Sequence, residues 1–180
     1  MLIDRNNSVL LVVDVQDKLL TLTRDWQRVL ENCRWLVQVA QRLTVPVMAT
    51  EQYPKGLGHT QADLLSLLPE GAVGEKLHFS CAAAGCLQDL PGGERHQVVI
   101  CGMEAHVFVL QTALDLRWQG RQVLVVADAV TSRSDLDKEV ALKRLAAHGV
   151  EIVTKEMVAF EWLRKSGTPE FKDISLNFLR

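Results

Sequence analysis

An aspartate at the end of an apolar segment is the first residue whose type and position suggest chemistry. Asp14 directly follows the apolar run Val9–Val13. If that run is a buried strand, the carboxylate emerges at its carboxyl end, where partial loss of solvent makes it a useful acid or base. An aspartate there can equally well cap a helix. The position alone therefore leaves both roles open.

A lysine occupies a comparable position further along the chain. Lys76 lies within the segment 74–80, where another strand is predicted to end. An ammonium group at that point could keep a nearby carboxylate ionised or polarise a carbonyl group. A single lysine is more often a solvated surface charge, so Lys76 becomes a candidate only in combination with other residues.

The turn that follows Gly102 is the third candidate. The segment 102–109 reads as a strand-to-helix turn, and the free N–H groups that open such a helix can hold an anion or an oxyanion. The sequence contains no G-x-G-x-x-G fingerprint, no P-loop and no G-x-S-x-G elbow. The commonest nucleotide-binding and serine-hydrolase motifs of α/β proteins are therefore excluded.

Short apolar segments rich in β-branched residues alternate with amphipathic segments along the chain. Strands are predicted at 8–14, 46–50, 73–77, 98–102, 123–128 and 151–154, helices at 29–43, 61–68, 109–118, 135–148 and 156–165, and loops at 56–58 and 91–93. This alternation predicts an α/β fold with a doubly wound, parallel sheet of about six strands and helices on both faces. A single domain spanning residues 1–180 is expected.

Parallel strands present their carboxyl ends at one edge of the sheet, where ligands of such folds bind. The polar residues predicted at that edge are Asp14, Glu51, the segment after Gly102, and Asp128. These residues are therefore the first candidates for a ligand site.

Composition limits the partners and the compartment. A net charge of -2, with 20 basic and 22 acidic residues, provides no field for nucleic acid or a membrane surface, so small molecules and copies of the chain are the expected partners. The first residues lack a signal-peptide pattern and no apolar run has membrane-spanning length, which predicts a cytoplasmic protein. The 4 cysteines are scattered, and reduced thiols are expected.

Several segments together resemble the isochorismatase-like, or cysteine hydrolase, family, and most closely the isochorismatase domain-containing proteins. The matching segments are 11–16, 50–58, 75–80, 102–116 and 126–134, which cover nearly the whole chain. The resemblance implies a Rossmann-like fold. It also implies a catalytic triad in which an aspartate deprotonates a cysteine, a lysine assists, and the thiolate attacks an amide or a related carbonyl.

Asp14 and Lys76 match two members of that triad, but Phe108 occupies the position implied for the cysteine. Because the three matching segments are placed at strand ends, Asp14, Lys76 and Phe108 are expected to lie within contact distance at the carboxyl edge of the sheet. A phenyl ring has no nucleophile and no proton to give. The residues expected to line the substrate site are Gln16, Gln52, Tyr53, Met103, Glu104 and His106. The resemblance further implies a cis peptide bond between Met103 and Glu104.

Two functions remain open at this point. Isochorismatases themselves lack the cysteine and cleave a vinyl ether by protonation, so the chain could be a hydrolase that uses Asp14 and Lys76 without covalent catalysis. Alternatively, Phe108 fills the substrate space and the chain is an inactive family member that acts as a binding or assembly protein. Cys81 could be a displaced nucleophile, although a buried structural thiol is the commoner role for a free cysteine.

No cofactor and no metal are expected. Nicotinamidase-type relatives carry an Asp/His/His metal site near the second strand, where this sequence offers Glu51, Gln52 and a lone His59. These are too few ligands for a closed transition-metal site.

Phe108 also breaks the helical pattern of its own segment. On a regular helix it shares a face with polar residues, among them Gln111, Thr112 and Asp115, so a cleft wall or a partner subunit must cover it unless it is a singly exposed aromatic. Relatives assemble through helices that flank the site, and the chain has 4 tryptophans. Both points predict a homo-oligomer, with a dimer as the minimum.

Overall fold

The computed structural model describes residues 1–179. Its centre is one sheet of six strands in the order β3-β2-β1-β4-β5-β6, and every neighbouring pair is parallel. The strands are β1 (Ser8–Val13), β2 (Val47–Gln52), β3 (Val73–Lys76), β4 (Gln97–Met103), β5 (Gln122–Thr131) and β6 (Glu151–Val153). The chain winds outward from the β1–β4 junction in both directions, so the predicted doubly wound sheet is confirmed.

The helices form two separate sets of contacts, as a helix layer on each face of the sheet requires. In the described part of the chain they are α1 (Asp17–Leu20), α2 (Trp26–Arg42), α3 (Pro54–Leu57), α4 (Ala62–Leu65), α5 (Cys81–Ala84), α6 (Leu110–Trp118), α7 (Asp135–Ala147), α8 (Lys155–Leu163) and α9 (Pro169–Phe178). Helix α2 contacts α8 and α9, whereas α6 contacts α5 and α7. No helix within residues 1–179 is long and apolar enough to cross a membrane.

The short helices account for most of the differences from the sequence-based prediction. The helix predicted at 61–68 is only the four-residue α4, and the loop predicted at 56–58 overlaps α3, which begins at Pro54. A single helical turn is too short to show amphipathic periodicity. Helix α9 was not predicted, although a capping Thr168 followed by Pro169 is a typical helix start.

Strand β5 is longer than predicted because it contains an irregularity. Ile100 pairs with Val125, but Gly102 already pairs with Val130, so β5 bulges between these two pairs. Asp128 lies in the bulge, where its Oδ1 accepts a hydrogen bond from the Lys155 backbone N–H at 2.9 Å. This aspartate therefore anchors the start of α8, and the prediction that it belongs to the ligand-binding edge is not supported by its contacts.

Gly102 allows β1 and β4 to approach each other at the edge that carries the candidate site. Its φ is +115°, and a Cβ atom built there would lie 2.1 Å from the backbone oxygen of Val13, its partner in the ladder. Any side chain would thus both strain the backbone and collide with β1.

We expect Gly102→Ala to destabilise the fold by roughly 3 kcal/mol or more, because the added methyl group meets backbone that cannot move without breaking the ladder. Gly120→Ala is the matched control, since Gly120 also has positive φ (+85°) but nothing within 4 Å of a Cβ position. The control should cost only about 1 kcal/mol. Urea unfolding of both variants measures the difference, and equal losses would contradict this account of Gly102.

Candidate active site

The site is organised around a direct contact between Asp14 and Lys76. The Lys76 Nζ lies 2.6 Å from Asp14 Oδ2, and neither side chain has any exposed surface. Asp14 follows β1 and Lys76 ends β3, with β2 between them in the sheet. The long lysine side chain therefore crosses the end of β2 to reach the carboxylate, and the predicted convergence of these two residues is present in the structure.

Neighbouring polar groups complete the hydrogen bonds of the pair. Thr50 Oγ1 donates to Asp14 Oδ1 at 2.8 Å, while Lys76 Nζ also donates to Gln52 Oε1 at 2.7 Å and to the Phe79 backbone oxygen at 3.2 Å. An ammonium group has three protons to donate, and each has an acceptor here. The ion pair is thus fully satisfied within the chain.

Burial alters the proton affinity of Asp14. Loss of solvent raises the pKa of its carboxyl group, and the attraction of the Lys76 ammonium together with the Thr50 hydrogen bond offsets only part of that rise. A carboxyl group that retains its proton to higher pH is better suited to donate one to a substrate. The arrangement is therefore chemically capable of proton transfer.

Phe108 covers the ion pair from the side of α6. Its ring centroid lies 4.8 Å from Lys76 Nζ and 5.7 Å from the centroid of Phe79, in an edge-to-face arrangement. Phe108 is 5% exposed, whereas Phe79 is 52% exposed. Of the alternatives weighed for Phe108, the singly exposed aromatic is wrong, because residues of its own chain cover the ring.

The helical register around Phe108 also differs from the prediction. Ala105–Val109 form a π-helical turn before α6 begins, so positions on the two sides of the turn do not follow one regular helix. Thr112, assigned to a polar face, is fully buried and accepts a hydrogen bond from the Cys81 backbone N–H at 3.1 Å. Thr112 therefore faces α5, whereas Gln111 of the same predicted face is exposed.

Gln16 and Gln52 direct their side-chain amides into the chain. Gln16 Nε2 donates to the backbone oxygens of Gln52 and Gly58, and its Oε1 accepts from the Gln52 backbone N–H. Gln52 Oε1 accepts from Lys76, and its Nε2 donates to the Leu77 backbone oxygen. These contacts position Lys76 and the loop after β2, and the substrate contact expected for the two glutamines stays a prediction.

The other predicted lining residues do not gather at one point. Tyr53 is half exposed beside a cavity of about 400 Å³ that Lys76 also lines, and Met103 is buried, with a cis peptide bond to Glu104. The buried Glu104 carboxylate forms an ion pair with Arg133 at 2.6 Å. His106 bonds to Ser132 Oγ and lines a separate groove against α7. Tyr53 thus shares a cavity with Lys76, whereas His106 lines a different one.

Glu51 holds the loop that follows β2. Its carboxylate accepts hydrogen bonds from the backbone and hydroxyl groups of Thr60 and lies 2.9 Å from His59 Nδ1. Burial opposes the ionisation of Glu51, yet these hydrogen bonds lower its pKa. The contact between His59 and Glu51 raises the pKa of His59. Within residues 1–179 no group of three or more His, Cys, Asp or Glu side chains could hold a metal ion.

Cys81 is buried, and its thiol is poorly suited to attack a substrate carbonyl. A hydrogen bond with the Cys86 thiol and burial together raise its pKa well above the ordinary value. The thiolate is the reactive form of a cysteine, so the suggestion that Cys81 replaces the missing nucleophile gains no support from its surroundings.

Comparison with known proteins identifies the family. The model of the isochorismatase domain matches residues 8–157. The chain belongs to the isochorismatase family. A relative named isochorismatase domain-containing protein 2, from Danio rerio, is 39% identical over 172 residues, which cover 93% of this chain and 84% of the relative. The family and the branch predicted from sequence are thereby confirmed.

Solved structures show the same isochorismatase-like fold. The structure of MAR1 ribonuclease from Caenorhabditis elegans has a TM-score of 0.89 and 35% identity, covering 100% of this chain and 93% of that one. The YcaC gene product of Escherichia coli, described as an octameric hydrolase of unknown specificity, has a TM-score of 0.83 and 24% identity, covering 92% of this chain and 83% of that one.

Sequence reasoning missed two contributors to the site. Thr50 pairs with Val13 in the parallel ladder, next to Asp14, so the strand register could have indicated its contact with the carboxylate. Phe79 contributes a backbone oxygen to Lys76 and a ring to Phe108. The two contacts of Phe79 depend on how the loop after β3 folds back towards the site, and the sequence pattern does not show this.

Removal of only one partner of the Asp14–Lys76 ion pair should destabilise the fold more than removal of both. Lys76→Met leaves a buried carboxylate without its cation, so we expect a loss of about 3–5 kcal/mol in the free energy of unfolding. The double variant Asp14→Leu/Lys76→Met removes both charges and should recover at least about 1 kcal/mol of that loss. Urea unfolding measures both free energies. A Lys76→Met variant as stable as wild type would show that the buried Asp14 carboxylate does not need the Lys76 charge.

Proposed function

We propose that this chain is a small-molecule hydrolase of the isochorismatase family that works by acid/base chemistry without a covalent thiol step. The observation that carries the proposal is the buried contact between Asp14 and Lys76 at the carboxyl edge of the sheet. According to the resemblance to the family, Phe108 occupies the position of the nucleophilic cysteine. Asp14 is the proposed proton donor and acceptor, and Lys76 the group that balances its charge.

A substrate that reacts on protonation suits this set of residues. A protonated Asp14 can transfer its proton to the carbon of a vinyl ether, which leaves an oxygen-stabilised cation. Water adds to that cation and returns a proton to the Asp14 carboxylate, and the resulting hemiketal breaks its C–O bond to give a carbonyl product and an alcohol, which takes the hydroxyl proton of the hemiketal. The raised pKa of Asp14 supports the donor role. Amides are less suitable substrates, because their hydrolysis by this family requires the thiolate that Phe108 does not provide.

Substrate reaches Asp14 only if the aromatic cover moves. The side chains of Asp14 and Lys76 have no exposed surface, and Phe108 with Phe79 lies over Lys76. Phe79 is half exposed and contacts Phe108 by an edge. We propose that rotation of the Phe79 ring away from Phe108 opens the site.

The covered and fully hydrogen-bonded ion pair also supports a second function. Because every hydrogen bond of the Asp14–Lys76 pair is satisfied without a ligand, the pair can persist as a purely structural contact in a binding or assembly protein. The two functions differ in one respect that can be measured, since only the hydrolase requires Asp14 to exchange its proton with a substrate.

We also propose that the chain forms a homo-oligomer. Trp118 is 93% exposed, and Leu136 and Val140 are more than half exposed one turn apart on α7. The octameric description of the E. coli structure motivates the proposal. RNA is not a proposed substrate despite the description of the C. elegans structure, because a net charge of -2 provides no attraction for a phosphate backbone.

Activity screening tests the hydrolase directly. Wild type, Asp14→Asn and Phe79→Ala are assayed against panels of vinyl ethers, esters and amides. We expect turnover of a vinyl ether or ester by wild type, a loss of at least about 100-fold in Asp14→Asn, and no loss in Phe79→Ala. Wild type that turns over nothing in any panel would favour the binding or assembly function, and equal activity in Asp14→Asn would show that Asp14 is not the proton donor and acceptor.

Restoring a thiol at position 108 tests the assignment of Phe108. We expect Phe108→Cys to lose about 1–4 kcal/mol of stability, because a buried ring is removed. The introduced thiol lies beside the Lys76 ammonium, which lowers the pKa of a cysteine. It should therefore react with iodoacetamide at neutral pH faster than any native cysteine, as measured by mass spectrometry of digested protein.

The wild-type protein serves as the control for that experiment. It should form no acyl-enzyme with activated esters, since thioester formation needs a thiolate within about 3–3.5 Å of the carbonyl. A thiol adduct at Cys81 in wild type would show that the nucleophile has moved and that the non-covalent mechanism is wrong.

A further inference from the structure

Two cysteines face each other across the short helix α5. Cys81 begins this helix, and Gly85, with φ +70°, ends it and reverses the chain so that Cys86 returns over the helix start. Cys86 Sγ donates a hydrogen bond to the Cys81 backbone oxygen at 3.5 Å, which holds the Cys86 thiol beside the start of the helix. Neither cysteine takes part in the acid/base chemistry proposed above.

The two thiols differ in access and in acidity. Cys81 has no exposed surface, whereas Cys86 is partly exposed. The hydrogen bond from Cys81 lowers the pKa of Cys86, and the nearby Lys76 charge acts in the same direction. The same hydrogen bond, together with burial, raises the pKa of Cys81. Cys86 is thus the accessible thiol that more readily forms a thiolate, and Cys81 is its buried partner.

We propose that Cys81 and Cys86 form a reversible oxidation site that reacts with hydrogen peroxide or an organic hydroperoxide. The Cys86 thiolate attacks one peroxide oxygen, the O–O bond breaks, and the leaving hydroxide or alkoxide takes up a proton. The Cys81 sulfur then attacks the sulfur of the Cys86 sulfenic acid, the S–O bond breaks, and water leaves with the Cys81 proton. The dithiol loses two electrons and two protons, and the peroxide is reduced to water, or to water and an alcohol.

The location connects this oxidation site to the ion pair. Phe79 and Ser80 directly precede Cys81, and the Phe79 backbone oxygen accepts a hydrogen bond from Lys76. The Cys81 backbone N–H donates to Thr112 on α6. A disulfide would therefore join the two ends of α5 at the point where that helix is attached to the candidate active site. The oxidation site does not depend on the proposed hydrolase function.

A second pair of cysteines provides a control within the same chain. Cys33 and Cys101 are both fully buried, and the neighbouring Cys33 thiol together with burial raises the pKa of Cys101 well above the ordinary value. This pair therefore has neighbouring thiols without an accessible one. If proximity alone decided oxidation, both pairs would react.

Peptide mapping of the wild-type chain after peroxide treatment tests the proposal. Cys81 and Cys86 lie in one tryptic peptide, residues 77–95, because no lysine or arginine separates them. We expect this peptide to become lighter by about 2 Da and to regain that mass with dithiothreitol. Cys33 and Cys101 should stay reduced and accept iodoacetamide after denaturation. Oxidation of Cys33 and Cys101 with peptide 77–95 still reduced would overturn the proposal.

Two variants separate the roles of the thiols. Cys86→Ser should not gain an oxidised form in peptide 77–95 at the peroxide concentration that converts wild type. Cys81→Ser should stop at a Cys86 sulfenic acid, which dimedone traps as a stable adduct. Cys86→Ser that still traps dimedone at Cys81, or Cys81→Ser that reacts no further than untreated protein, would show that Cys86 is not the attacking thiol.

Discussion

The buried contact between Asp14 and Lys76 is the interaction on which the carboxyl edge of the sheet depends. Two charges taken out of water destabilise a fold unless each is paired and fully hydrogen-bonded. Thr50, Gln52 and the Phe79 backbone oxygen meet that requirement, and Phe108 closes the remaining side. The loops after β2 and β3 are therefore positioned by the needs of one ion pair as much as by apolar packing.

This requirement also explains why the site is poor in free polar groups. Gln52 has both ends of its amide in use, and Gln16 holds the backbone on both sides of the loop after β2. The residues nearest the pair are its supports. The side chains exposed at the rim beside Lys76 are instead those of Tyr53 and Leu77.

The sequence predicted the sheet well because most of its strands contain short apolar runs rich in β-branched residues. It predicted the meeting of Asp14 and Lys76 because the segments that resemble the family end strands at one edge of a parallel sheet. It could not predict the single-turn helices α1 and α5, whose four residues show no periodicity. The π-helical turn before α6 changes the helical register, so Phe108 and Thr112 do not lie on the exposed face that a regular helix predicts for them. The contacts of Gln16 and Phe79 involve loop backbone, which a pattern of side chains does not describe.

The position of Lys76 on β3 has a consequence for local stability. Strand β3 lies at the edge of the sheet, has four residues and is only partly buried, so its ladder to β2 contributes little on its own. Lys76 joins this strand to Asp14, 62 residues earlier in the chain. Detachment of β3 exposes an ionised carboxylate at the end of β1, and attachment requires that carboxylate to be in place. The Asp14–Lys76 contact is therefore a long-range link that holds the edge strand β3, and with it the start of α5 five residues later, to the central strand β1.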